Sequence, residues 1–149
     1  MRFLLVDEIL ELDPGQHIRA TKTMDPVEEL FKDHFPGFPV VPGVLLTEMM
    51  AQAAGKCLAA EGAGRGKPML AKITSASFRE WVTPGQVCVI EARIRSSRAR
   101  FATAECHVDV QGRVVAESSL LFSFVPNSRF ASDWRDEVLE RFQKKADGG

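Results

Sequence analysis

The sequence predicts an α+β domain in which an antiparallel β-sheet packs on one long helix. Three observations carry this. Residues 44–61 contain no proline, are rich in Leu, Met, Ala, Glu, Gln and Lys, and run into Gly62, the pattern of a helix of about five turns. That stretch is apolar nearly all round, as expected of a helix enclosed by other structure. Residues 89–95 and 101–110 alternate apolar and polar side chains, which is the period of half-buried antiparallel strands.

The remaining elements follow in chain order. Residues 3–12 and 16–23 read as two strands joined by Asp13-Pro14-Gly15, a turn in which Pro presets φ and Gly accepts a positive φ. Residues 26–32 follow Asp25-Pro26, a cap and first-turn pair, and predict a short helix. Residues 34–43 hold three prolines and two glycines among apolar side chains, so they form a stiff loop with hydrophobic walls. After the glycine-rich stretch 62–66, residues 68–80 read as a strand closed by the turn Thr83-Pro84-Gly85. Gln111-Gly112 joins strand 101–110 to a last strand, 113–125, whose apolar residues in both phases place it near the sheet centre. From Ser132 to Ala146 an amphipathic helix aligns Trp134, Val138, Leu139 and Phe142 on one face, with Glu137/Arg141 and Glu140/Lys144 spaced for ion pairs. Residues 1–125 are read as one domain, and 126–149 as a helix appended to it that covers a sheet edge.

Composition narrows the function. At 149 residues the chain supports one core. With 45% hydrophobic and 26% charged residues it is an ordinary folded domain, not a disordered one. A net charge of −1 supplies no global field for nucleic acid. Cys57, Cys88 and Cys106 are widely spaced and include no C-x-x-C pair, which suits neither a zinc site nor a disulfide framework. The apolar run Phe3–Val6 is shorter than a signal core, and Glu48, Gln52 and Lys56 interrupt the longest apolar stretch. A cytoplasmic protein without a membrane span is expected.

Chemistry concentrates between residues 34 and 52. His34 in the stiff loop is a candidate base, Gly43 offers a bare amide at the start of the helix, and Glu48 is a candidate acid just over one turn further on. A helix N-terminus directs unsatisfied N–H groups and partial positive charge outward, where they stabilise a carbonyl oxygen that gains negative charge. An imidazole near neutrality is suited to removing a proton beside such a carbonyl, and a carboxyl in an apolar wall is suited to returning one. Glu48, Gln52 and Lys56 also form a polar stripe at four-residue spacing, unusual on an enclosed helix.

The string H-F-P-G-x-P-x-x-P-G-V-L-x-x-E-x-x-A-Q from His34 to Gln52 resembles the motif of the (3R)-hydroxyacyl-acyl-carrier-protein dehydratases of type II fatty acid synthesis. Phe3–Asp7, Phe78-Arg79 with Val82, Pro84 and Gly85, and Gly112–Phe122 are similar to flanking parts of that family, so the resemblance covers residues 3 to about 125. It implies a hotdog fold, an antiparallel sheet wrapped around the long central helix, and a homodimer, with or without further assembly. It also implies that His34 of one subunit faces Glu48 of the other, that Gly43 N–H holds the thioester carbonyl, and that Gln52 orients the acid or bridges the interface. The implied reaction is loss of water from a 3-hydroxyacyl thioester carried by acyl carrier protein, with no metal or organic cofactor. Phe35, Phe38, Val40, Leu45 and Met49 are candidates for an acyl tunnel or for ordinary core. The chain has no tyrosine, so the tyrosine gate of some members is absent. An isomerising sister enzyme would be expected to carry Asp at position 48. The alternatives are a hotdog acyl thioesterase and a non-catalytic, acyl-carrier-binding assembly subunit. Arg93, Arg95, Arg98 and Arg100, and Arg65 with Lys67, are local basic runs, read first as solvated surface and second as contacts for an acidic carrier. His17 and His107 fall in the polar phase of strands and take no role.

Overall fold

A computed structural model describes residues 1–148. Six strands form one antiparallel sheet in the order β1-β2-β4-β5-β6-β3: β1 Glu8–Asp13, β2 His17–Thr23, β3 Lys67–Phe78, β4 Val87–Ser97, β5 Phe101–Val110 and β6 Arg113–Val125. The short helix α1 covers Leu30–Asp33, the central helix α2 covers Gly43–Ala59, and α3 covers Glu137–Gly148. α2 lies in the concave face of the sheet and touches every strand from β2 to β6, the hotdog arrangement. Ala20, Ala92, Ala104 and Ala116 are fully buried on that face, and their small side chains let the helix settle close to the strands. Leu46, Met49, Met50, Ala53, Ala54, Cys57 and Leu58 fill the space from the helix side.

Two turns show why the strands end where they do. Gly15 has φ 73°, its N–H donates to Cys57 O at 3.0 Å, and a Cβ there would fall on the Glu61 carboxyl group. The first hairpin is thereby seated on the end of α2. Gln111 and Gly112 both have positive φ, 53° and 80°, the mirror-image turn whose twist matches that of the flanking strands.

Several elements differ from the sequence reading. The first strand begins at Glu8 rather than Phe3; Leu5 and Val6 are fully buried without joining the sheet. The helix expected at 26–32 is confined to Leu30–Asp33, because Asp25 Oδ1 accepts the Val27 N–H (3.0 Å) and turns the chain locally. β6 lies second from the edge rather than at the centre, and its outer neighbour β3 is exposed from Met69 to Phe78. The last helix starts at Glu137, not Ser132. Trp134 therefore leaves the helical face and sits in a turn closed by its own N–H to Ala131 O (3.0 Å). Glu137 and Glu140 pair with Arg2 (3.8 Å) and Arg135 (2.9 Å) rather than along the helix. Val138 and Leu139 are buried and α3 rests against the edge strand β1. Among the described residues, no helix is long and apolar enough to cross a membrane.

Candidate active site

The loop that carries His34 is closed by its own backbone. His34 N–H continues α1 by donating to Leu30 O (3.0 Å), Phe35 and Phe38 exchange N–H···O bonds of 3.0 and 2.8 Å, and Val40 N–H returns to His34 O (3.0 Å). Val41 N–H then ties the loop to Val82 O at 2.7 Å. Pro36, Pro39 and Pro42 fix φ at three further positions, and the half-buried His34 ring stacks on Phe35 at 3.9 Å between centroids. Its Nδ1 lies 3.0 Å from Val40 O. A carbonyl only accepts, so Nδ1 carries the proton and Nε2 keeps the basic lone pair.

Two residues after Val41, α2 begins. Leu45 and Leu46 N–H both donate to Pro42 O (2.9 and 3.2 Å) and Thr47 Oγ1 donates to Gly43 O (3.1 Å). Among the described residues Gly43 N–H has no hydrogen-bond acceptor. The Phe78 ring roofs the glycine: a Cβ would stand 3.1 Å from it. The amide is thus free and bounded on one side by an apolar plate.

Glu48 is held from its own helix and from the N-terminus together. Gln52 Nε2 donates to Glu48 Oε2 (3.0 Å) and to Phe3 O (3.2 Å), while Gln52 Oε1 accepts the Leu5 N–H (2.8 Å). The glutamine is a junction among the acid, the helix and the buried start of the chain. Glu48 and Gln52 line an open groove of about 680 Å³, walled by Phe3, Leu4, Met69, Leu70 and Phe122 and, at its far end, by Phe130, Trp134 and Val138.

Within the protomer, His34 and Glu48 do not meet: no hydrogen bond or ion pair joins them among the described residues, and His34 does not line the groove. Phe35 and Phe38 are half exposed on the loop and Leu45 is half-buried. Met49 has no exposed surface and belongs to the core, because one residue beyond Glu48 the helix has rotated by about 100° toward the sheet. The third member of the polar stripe, Lys56, is paired with Asp136 at 2.8 and 3.0 Å. The four-residue spacing signalled that these polar groups needed partners; Asp136, eighty residues away, carried no local signal.

The polar groups on the outer sheet face make a separate network. His17 Nε2 lies 2.7 Å and His107 Nε2 3.3 Å from the Glu91 carboxyl. Burial acts to raise the Glu91 pKa, but the His17 hydrogen bond and the charges of His107, His17 and Arg93 together outweigh it and hold the carboxyl below its ordinary range. All three cysteines are buried in the core.

Fold and geometry together define a hotdog domain in which the His34 loop and the Glu48 groove stand apart within the chain. The FabA-like domain model matches residues 1–119. The 3-hydroxyacyl-acyl-carrier-protein dehydratase FabZ of Ruminiclostridium cellulolyticum is 39% identical over 122 residues, covering 81% of this chain and 86% of that protein. That of Caldicellulosiruptor saccharolyticus is 38% identical, covering 81% and 87%. Among solved structures, the dehydratase heterocomplex ApeI:P from Xenorhabdus doucetiae shares the fold with a TM-score of 0.69 at 17% identity, over 85% and 86% of the two chains. A hypothetical thioesterase with coenzyme A from Streptococcus pneumoniae TIGR4 does so with 0.63 at 13% identity, over 80% and 85%. The chain belongs to the FabA-like domain family.

Proposed function

We infer that the protein is a 3-hydroxyacyl-acyl-carrier-protein dehydratase of fatty acid biosynthesis, a hydro-lyase working as a homodimer. The observation that carries this is the divided site: a preset imidazole and a free Gly43 amide at one place, and at another a carboxyl held by Gln52 in a substrate-sized groove. A second copy is the natural complement. β3 is an edge strand exposed on both faces, with Met69, Leu70, Ile73 and Phe78 uncovered, and such an edge is stable when it pairs with another strand. Antiparallel pairing of two β3 edges turns the start of one α2 toward the groove of the other.

In the dimer His34 of one protomer faces Glu48 of its partner. His34 Nε2 takes the C2 proton of the 3-hydroxyacyl thioester. The Gly43 N–H stabilises the enolate-like oxygen; as that oxygen re-forms the thioester carbonyl, the C1–C2 π pair becomes the C2–C3 double bond and the C3–O bond breaks. Glu48 delivers a proton to the C3 hydroxyl, which leaves as water. Solvent exchange returns the proton from imidazolium to carboxylate, so the net change is thioester to enoyl thioester plus water. Every group is supplied by the chain.

Subunit complementation tests this. His34→Ala and Glu48→Gln homodimers are expected to be inactive, while a refolded equimolar mixture recovers about a quarter of wild-type turnover, since half the dimers carry one intact site. Hydration of a crotonyl thioester on carrier protein is the assay. A mixture as inactive as its components refutes the shared site, and thiol release without hydration refutes the reaction.

A further inference from the structure

The groove that contains Glu48 does not end within the part of the chain matched by the family model. Its lining continues into Asn127, Phe130 and residues 134–138, beyond the matched 1–119. This segment is anchored. Lys56 reaches Asp136 across 80 residues with both carboxylate oxygens in range, and the two side chains are only 10% and 16% exposed. Asp136 Oδ1 also accepts the Leu139 N–H (3.1 Å), so the same carboxylate caps α3. Lys67 Nζ stands 4.6 Å from the Trp134 ring and 5.3 Å from the Phe130 ring, and Asn127 Nδ2 donates to Ala63 O at 2.7 Å. A half-exposed tryptophan is thus pinned at the end of a groove whose other end holds the candidate acid. From Glu48 to Ala59 the helix flank of the groove extends about 16 Å at the α-helical rise, room for an acyl chain lying along the helix. Ala51, Gly55 and Ala59 on the helix and Met69, Leu70 and Phe122 from the sheet give that path apolar wall, with Gln52 and the paired Lys56 between them.

We propose that Phe130 and Trp134, positioned by the Lys56–Asp136 pair, close the acyl groove and set the length of chain the enzyme accepts. The proposal rests on the dehydratase reading for the identity of the occupant, the acyl chain of the thioester substrate. Opening the end wall favours longer chains, because extra methylenes that met aromatic rings then find space.

The test uses the full chain and two independent readouts. First, kcat/KM is measured for crotonyl, octenoyl, dodecenoyl and hexadecenoyl thioesters on carrier protein. Phe130→Ala, Trp134→Ala and Asp136→Asn are each expected to raise the hexadecenoyl-to-crotonyl ratio by about tenfold, with Lys56→Arg staying near the wild-type ratio because it keeps the pair. A uniform loss across lengths, or an unchanged ratio, overturns the proposal. Second, in a Trp81→Phe background Trp134 is the only tryptophan, and an acyl thioester brominated near its methyl end is expected to quench it when the chain is long and not when it is short. A long brominated thioester that inhibits crotonyl turnover yet leaves Trp134 fluorescence unchanged also overturns it. Wild-type protein that hydrates no enoyl thioester but shows the quenching refutes the dehydratase reading while leaving the groove assignment standing. Hydration without quenching or altered selectivity does the reverse, and failure of both removes both.

Discussion

Gln52→Leu is the substitution whose consequences follow most directly from the geometry. Gln52 makes three hydrogen bonds: it accepts the Leu5 N–H at 2.8 Å and donates to Phe3 O at 3.2 Å and Glu48 Oε2 at 3.0 Å. Leucine preserves the volume and removes all three. Leu5 is fully buried, so its amide is left without a partner, at about 1–3 kcal/mol, and each other lost bond adds about 1 kcal/mol or less because Phe3 O and Glu48 can turn to water. The sum is roughly 2–4 kcal/mol, which for a chain of this size lowers Tm by about 5–10 °C. Thermal unfolding by circular dichroism at one fixed protein concentration reads this directly, since any self-association makes Tm concentration-dependent. Gln52→Glu is the informative companion: it keeps an acceptor for Leu5 but sets a second carboxylate against Glu48, so it is expected to retain more stability than Gln52→Leu while losing as much turnover. A Gln52→Leu protein within about 2 °C of wild type refutes the junction role, and one with full dehydratase activity refutes the idea that Gln52 positions Glu48.

Two further outcomes follow from other parts of the molecule. Gly43→Ala places a methyl 3.1 Å from the Phe78 ring and beside the free amide; turnover is expected to fall about a hundredfold through misplacement of the thioester, with an unchanged circular dichroism spectrum, and full turnover would exclude the Gly43 amide from holding the carbonyl. Burial raises the thiols of Cys57 and Cys88 from 9.0 to about 11 and that of Cys106 to about 12; because the folded chain holds these protons more tightly than the unfolded chain, their contribution to stability is complete below 9.0 and is lost as pH rises toward 11–12. Denaturant midpoints should therefore fall on the alkaline side, less so in a triple Cys→Ala protein, and thiol reagents at neutral pH should label the native protein far more slowly than the unfolded one.

How much of this was legible in the sequence depended on distance along the chain. α2, predicted at 44–61 and found at Gly43–Ala59, and β5, found at Phe101–Val110 as predicted, rest on periodicities that one element displays by itself. The two N-terminal departures have local causes that periodicity does not register: the Asp25 side chain captured the Val27 amide, and Phe3–Val6 is apolar because it is buried, not because it pairs in the sheet. Trp134 has the right spacing for the apolar face of the last helix, so periodicity predicts an earlier start than Glu137, whereas in the structure it serves a turn beside Lys67. The ion pairs expected along that helix gave way to Arg2 and Arg135, which no helical spacing could indicate.

The sequence by itself determined the two candidate half-sites. His34, Gly43, Glu48 and Gln52 lie within nineteen consecutive residues, so their order, the rigidity of the loop and the free amide at the helix start are properties of local chain geometry. Only the tertiary structure decided that His34 and Glu48 do not meet within a protomer, that Gln52 is tied to the buried start of the chain, that β3 is left as a bare apolar edge, and that Lys56 is paired with Asp136. The Gln52 and Lys56 contacts join residues 47 to 80 positions apart, and such pairs are chosen by the path of the whole sheet around its helix, a property that no window of neighbouring residues contains.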